Sequence, residues 1–375
     1  MSRSKRWLAA AGALALSVSM VGSVAAQSPS AGPSVAQPGS GIKLGFVTHS
    51  LGNPFIQSIM DAAQMAADEA GAEIQFVGDP GNNGENMLSL AQGLVQGGVQ
   101  GLVTSVPQDT MVAGLNEIIA GGVPVVQFNI LGNGVNAPYV GEKSVESGRI
   151  LGQAILDKLG GASATGTVVI GNCFPGVQVL TNRGTGVEES LAAASGLTIN
   201  GKGGSNDVKV DAAQNYAAWE ALLTANPDAV ALIGLCAPDV ASLGKLKAAY
   251  PDSKFIAGGY DLTPENLEQL ANGNAYVSLG QTPFIQGYLP VKILIDSIVN
   301  GTAADIAKPG FINAGTEIVT ADSVTEPFDL PALTFQDLQA IAADKAAWRE
   351  YYQPAVDTYI ANWKDQLQDI SAESE

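Results

Sequence analysis

From Ile42 to about residue 280 the chain repeats one alternation: a short apolar run, a polar loop, and a stretch with helical spacing. Short apolar runs bounded by turn residues read as buried parallel strands, and their regular pairing with helices selects open, doubly wound α/β sheets. The first unit shows this most plainly. Leu44, Phe46 and Val47 lead into polar Thr48, His49 and Ser50. Pro54 then suits a first helical turn, where its missing N–H has no partner to lose, and Ile56, Ile59, Met60, Ala63 and Ala67 recur at helical spacing up to Gly71. In an open parallel sheet ligands bind outside the carboxyl ends of the strands, so Asn53 and Phe55 stand where a ligand is met. A nucleotide site needs a glycine-rich turn that closes on phosphate, and this loop offers Gly52 alone. An amide beside an aromatic face suits a small neutral polyhydroxylated molecule better. The same residues also read as an N-cap, Asn53, and a core side chain, Phe55.

Strands are expected near 42–48, 73–77, 100–104 and 123–128, with helices near 55–70, 84–97 and 109–120. A short segment at Tyr139-Val140 leads into a helix near 145–159. The alternation then begins again, with strands near 167–171, 197–200, 229–234, 254–257 and 275–279 and helices near 180–194, 211–224, 239–249 and 263–272. Two βα halves of similar size predict two domains of the same build, facing one another across a cleft into which several carboxyl-end loops carry polar residues. The final stretch, 331–375, is helix-forming and rich in aromatics, and is expected to pack back on one domain as an appendage.

Arg3, Lys5 and Arg6 precede an apolar run from Trp7 through Val21, and Val24-Ala25-Ala26 supplies small residues at the cleavage positions, the layout of a secretory signal peptide over 1–26. Residues 27–41 read as a flexible linker. Export to the periplasm or the extracytoplasmic face of a bacterium is the expectation. Without the three basic residues of that signal the net charge goes from −18 to −21, which disfavours nucleic acid and anionic lipid as partners. One histidine and two distant cysteines supply a zinc site poorly, and no cofactor is expected. Cys173 and Cys236 each follow a strand of the second half, and those strands are neighbours in a doubly wound sheet; a disulfide is expected, with two buried thiols as the other reading.

Five motifs in register carry a resemblance to a known family: Asn53-Pro54-Phe55 after the first strand, Val123-Pro124-Val125-Val126 before the fourth-strand loop, Arg183-Gly184 opening a helix, Gly259-Tyr260-Asp261 after a strand, and Gln281-Thr282-Pro283 after the next. Over roughly 42 to 320 the chain resembles the type I periplasmic binding proteins that serve sugar ABC importers, the ribose-binding branch in particular. The resemblance implies an α/β fold of two doubly wound parallel-sheet domains joined by a three-crossing hinge, with the ligand cleft between them. It divides the chain into an N-terminal domain (42–142 plus 282–311) and a C-terminal domain (143–281 plus 312–330), ahead of the helical extension. It also implies ligand-binding roles: Asn53 as a hydrogen-bonding partner of a sugar hydroxyl, Phe55 as a stacking face, and Asn129, Arg183, Asp261 and Gln281 as further polar contacts. His49, Ser105 and Asp207 are secondary candidates. These side chains suit the task, since a carboxylate accepts from two adjacent hydroxyls and a guanidinium donates in a planar fork.

The departures from ribose binders point to a less polar ligand. Asn129-Ile130 stands where they carry Asp-Arg, the second aromatic of the first loop is Ile56, and an asparagine expected near 237 is lost among Cys236, Ala237 and Pro238. A deoxy sugar, a methylated polyol or another small hydroxylated signal fits that pattern. The resulting expectation is a monomeric solute-binding protein that delivers a neutral sugar or polyol to an ABC permease. The alternative is a binding protein that presents such a signal to a chemoreceptor or sensor kinase. No Gly-x-Ser-x-Gly is present and His49 is the only histidine, so an enzyme is not expected.

Overall fold

A computed structural model describes residues 37–375; the expected signal peptide and most of the linker lie outside the described residues. The first sheet is built from β1 (Lys43–Thr48), β2 (Glu73–Gly78), β3 (Gly101–Thr104), β4 (Val125–Phe128) and β5 (Pro138–Gly141). It is completed by β11 (Gly310–Asn313), in the spatial order β11-β5-β4-β3-β1-β2, with every pairing parallel. Between these strands run α1 (Pro54–Ala70), α2 (Gly84–Gln96) and α3 (Val112–Ala120). Both faces are covered. Leu44 and Phe46 of β1 turn toward the core shared with α1, while Val47 turns toward the core of α2 and α3, so the strand reads as a continuous apolar run.

After β5 the chain passes through α4 (Ser144–Lys158) into the second sheet. This holds β6 (Thr165–Gly171), β7 (Gly196–Asn200), β8 (Ala229–Gly234), β9 (Ile256–Tyr260) and β10 (Val277–Gly280), with α5 (Gln178–Leu191), α6 (Ala212–Ala225), α7 (Asp239–Ala249) and α8 (Pro264–Ala271) between them. Its order is β13-β12-β10-β9-β8-β6-β7. Here β12 (Glu317–Val319) and β13 (Val324–Thr325) add an antiparallel edge that the alternation does not predict. The sheets exchange the chain three times: after β5, after β10, and between Asn313 of β11 and Glu317 of β12.

Residues 283–299, for which no element is expected, form α9 (Pro283–Val299), which packs beside α1 on the first sheet. It is buried almost all round and carries Pro290 inside, so it shows no amphipathic stripe and contains a helix-breaking signal. The C-terminal segment also departs from expectation. Phe335 and Leu338 of α10 (Phe335–Ala342) join the core of the second lobe, whereas Tyr352, Ala355, Ile360 and Trp363 join that of the first, so the extension rests on both. Among the described residues no helix is long and apolar enough to cross a membrane.

Candidate functional site

In the first sheet β1 lies between β2 and β3, and in the second β6 lies between β7 and β8, so each sheet has a switch point where successive connections leave in opposite directions. The loops at those points open a crevice at the strand ends. A cavity of about 80 Å³ occupies it, walled by both lobes. That is well below the roughly 300–1,000 Å³ of drug-sized pockets, which limits an enclosed ligand to a small molecule. Four non-glycine residues on its wall are held at positive φ: Ser50 at 45°, Asn82 at 61°, Asn129 at 57° and Asp261 at 71°. Side-chain-bearing residues adopt this conformation at a cost of about 1–3 kcal/mol each, and three of the four are Asn or Asp, which tolerate it best.

All six primary candidates, Asn53, Phe55, Asn129, Arg183, Asp261 and Gln281, line this cavity. Asn53 is also the N-cap of α1, its Oδ1 accepting the Phe55 N–H at 2.9 Å, so the capping and cleft-lining readings hold together. A relay of amides and a carboxyl crosses from lobe to lobe. Asn129 Nδ2 donates to Gln281 Oε1 at 3.2 Å and to Gln286 Oε1 at 3.0 Å, and Gln281 Nε2 donates to Asp261 Oδ1 at 2.5 Å. Gln281 therefore ties a first-lobe loop to a second-lobe loop at the crossing itself.

Arg183 is buried, and its charge is answered by Glu142, whose Oε1 accepts from Nε at 2.5 Å. The guanidinium also donates to the Leu235 carbonyl at 2.8 Å and lies 4.0 Å from the centre of the Tyr260 ring. Burial works against the positive charge, but Glu142, Tyr260 and Asp261 together outweigh it and the guanidinium holds its proton more tightly than usual. Burial raises the Asp261 carboxyl to about 7 and lowers His49 to about 4, so His49 is neutral at pH 7. With Arg183 offset by Glu142, the crevice carries little net charge.

His49 lines the cavity, and its Nδ1 lies 2.8 Å from the hydroxyl of Ser105, which stands behind it and outside the lining. Asp207 is a correction: its side chain is turned to solvent, where it pairs with Lys209, and it does not reach the cavity. Beside Arg183 and Asp261 the second-lobe wall is apolar, made by Phe174, Val177, Val179, Leu180 and Val210 together with the Cys173–Cys236 disulfide, which joins the loops after β6 and β8 with Cα atoms 6.1 Å apart. Glu142, Asn82 and Gln286 were not candidates from the sequence. Asn82 Oδ1 accepts from both the N–H and the hydroxyl of Ser50, at 2.8 and 2.7 Å, and so sets the loop that follows β1. No motif marks these three; the only sequence signal is that each falls at a strand end or a crossing. Among the described residues no group of three or more His, Cys, Asp or Glu side chains is placed to hold a metal ion.

A larger cavity of about 320 Å³ opens beside the first, sharing Phe55 and Gln281 but walled mainly by Leu262, Leu267, Trp348 and Tyr351. Two carboxyls line it: Glu317 accepts from the Tyr352 hydroxyl at 2.9 Å and the Thr282 N–H at 3.3 Å, while both buried oxygens of Glu326 have no hydrogen-bond donor. The smaller cavity is the one on which all six candidate side chains converge.

A family model described as "Periplasmic binding protein domain" matches residues 44–302. The xylose/arabinose-binding protein XylF of Sulfolobus acidocaldarius is 21% identical over 300 residues, covering 75% of this chain and 72% of the relative. The ribose import binding protein RbsB of Salmonella typhimurium is 23% identical, covering 71% and 88%. Among solved structures, an ABC transporter solute binding protein from Burkholderia graminis in complex with D-arabinose superposes with a TM-score of 0.67 at 21% identity, covering 75% of this chain and 96% of its own.

Proposed function

Because the chain belongs to the periplasmic binding protein family, we propose that it captures a small neutral carbohydrate or polyol between its lobes and delivers it to an ABC import permease outside the cytoplasm. The observation that carries this is the cavity's division of labour. Asn53, Phe55 and Asn129 come from the first lobe, Arg183 and Asp261 from the second, and Gln281 from a crossing, so neither lobe alone forms the site. The lobes then correspond to hinged domains that meet near residues 142 and 282 and, since β11 runs past the expected 311, between Asn313 and Glu317, and closure on the ligand presents a new surface to the permease. The protein acts as a monomer and performs no chemistry on its ligand.

Charge decides the ligand class. A buried cation already paired with a carboxylate offers no surplus to an anionic substrate, and a neutral His49 adds none. Hydroxyls meet the amide and carboxyl relay, while Phe174, Val177 and the disulfide cover an apolar face, which favours a deoxy or methylated sugar over ribose. Thermal-shift screening of pentoses, deoxyhexoses and polyols identifies the ligand, and calorimetry then tests the site. Asp261→Ala leaves buried hydroxyls without an acceptor and should weaken binding by about 2–4 kcal/mol, and Phe55→Ala should cost about 1–3 kcal/mol. Wild-type affinity in either variant rejects the assignment.

A further inference from the structure

The family match ends at residue 302, and the Burkholderia structure superposes along almost its whole length while leaving a quarter of this chain uncovered. The C-terminal extension lies beyond that family match, and it touches both lobes. Helix α10 is seated on the second lobe, with Phe335 and Leu338 buried in its core. The next helix, α11 (Lys345–Tyr351), is seated on the first: Lys345 pairs with Asp61 at 2.7 Å, Arg349 with Glu69 at 2.6 Å, and the Trp348 ring meets Phe284 edge-on. Only Ala343 and Asp344 separate the two helices.

Further along, the extension follows the crossings. Tyr352 donates to Glu317 and Tyr359 to the Asn313 carbonyl at 2.6 Å, Gln368 pairs with Phe311, and the buried Glu373 bonds Ser144 and Asn182, the last beside Arg183. We propose that this extension is a strap that limits how far the lobes part. From Ala342 to Lys345 the chain has three Cα–Cα steps, so with both helices seated their facing ends separate by no more than about 11 Å. Wider opening requires one helix to leave its lobe, which exposes the Phe335 and Leu338 pair or breaks two ion pairs and an aromatic contact.

The strap rests on the hinge-closing reading above, and its test needs no ligand. Spin labels at Glu85→Cys on the first lobe and Lys202→Cys on the second, both exposed, report the interlobe distance, since the native cysteines are bonded to each other. Two releases are compared with the full chain. One is Phe335→Asp with Leu338→Asp, which unseats α10. The other inserts about twelve Gly/Ser residues between Ala343 and Asp344, a tether reaching roughly 40 Å that gives up the Asp344 N–H to Ile341 carbonyl bond but leaves the seats of both helices in place. The expected result is a narrow distribution in the full chain and, in both releases, an added component longer by about 10 Å, the scale of the limit the strap sets. Equally broad distributions in all three proteins overturn the strap and leave the hinge standing. Equally narrow ones, with the insertion variant folded by circular dichroism, overturn both.

Discussion

Glu142→Gln removes a charge and almost no volume from beside Arg183, and the environment fixes what that should cost. The two side chains are 0% and 4% exposed, so solvent cannot take over the role of counter-ion. Deleting one partner of a buried pair typically destabilises by about 3–5 kcal/mol, because an uncompensated charge is left in a poorly polarisable interior. Here one neighbour moderates the loss. Asp261 lies near Arg183, and the Glu142 charge is one of the influences that hold its carboxyl protonated. With Glu142 neutralised, Asp261 ionises more readily and becomes a partial counter-ion, which places the expectation at the lower end, about 3 kcal/mol. Glu146→Gln is the control. Its partner Lys143 lies 3.9 Å away and the carboxylate is 53% exposed, so the loss should stay under about 0.5 kcal/mol. Equilibrium urea denaturation of the three proteins reads both values. The charge left by Glu142→Gln should also shift ligand preference toward a sugar acid over the matching neutral sugar, seen by calorimetry. A loss below about 1 kcal/mol, with no change of preference, would show that Arg183 does not depend on Glu142 and would refute the charge balance on which the neutral-ligand proposal rests.

Helix α4 crosses α5 at Gly148, where an added Cβ would lie 2.1 Å from the Arg183 carbonyl oxygen, so Gly148→Ala should push α5 aside. The expected cost is about 1–3 kcal/mol in urea together with weaker ligand binding. Gly184→Ala, whose nearest neighbour would be 3.4 Å away, should be tolerated in the same assays. The Asp261 carboxyl, raised to about 7 from 3.8, binds a proton in the folded state that the unfolded chain releases. Stability from this group is therefore full at low pH and lost as pH rises from about 4 to 7, and Asp261→Asn should gain about 3 kcal/mol relative to wild type across that window. A constant difference between pH 4.5 and 7.5 in denaturation curves would show that the carboxyl is not perturbed. His49 acts with the opposite sign: lowered to about 4, it removes stability as pH falls below 6.5, a slope that His49→Gln should abolish. Reducing the Cys173–Cys236 bond frees a span of 63 residues, and loop-closure entropy puts the loss near 4 kcal/mol, read as a lower melting temperature in reductant.

What the sequence disclosed, and what it hid, follow from how each feature is encoded. Buried parallel strands announce themselves because both faces are covered, so Leu44 to Val47 and Val168 to Ile170 are apolar without interruption. Asn53 was legible for a related reason, since once the strands are placed the loops at their carboxyl ends are placed too; Arg183 and Asp261 came from the motifs of the family resemblance, and Arg183, expected to open its helix, lies in the second turn of α5. Burial all round erases the signal. Helix α9 has no polar face to give it a period, and it carries a proline besides. Charge compensation is hidden more deeply. Glu142 sits in an unremarkable Gly-Glu-Lys stretch between β5 and α4, 41 residues before Arg183, and nothing local says that its carboxylate is sealed from solvent or that its partner lies on α5. A buried ion pair is a property of two distant positions taken together, and each alone reads as a surface charge. The same holds for the extension: its aromatic residues predict that it packs on something, but that α10 and α11 divide between two lobes depends on where a link of two residues falls. The features on which the proposed ligand class and the proposed limit on opening rest are thus pairwise and long-range, while those that set the fold are local and periodic.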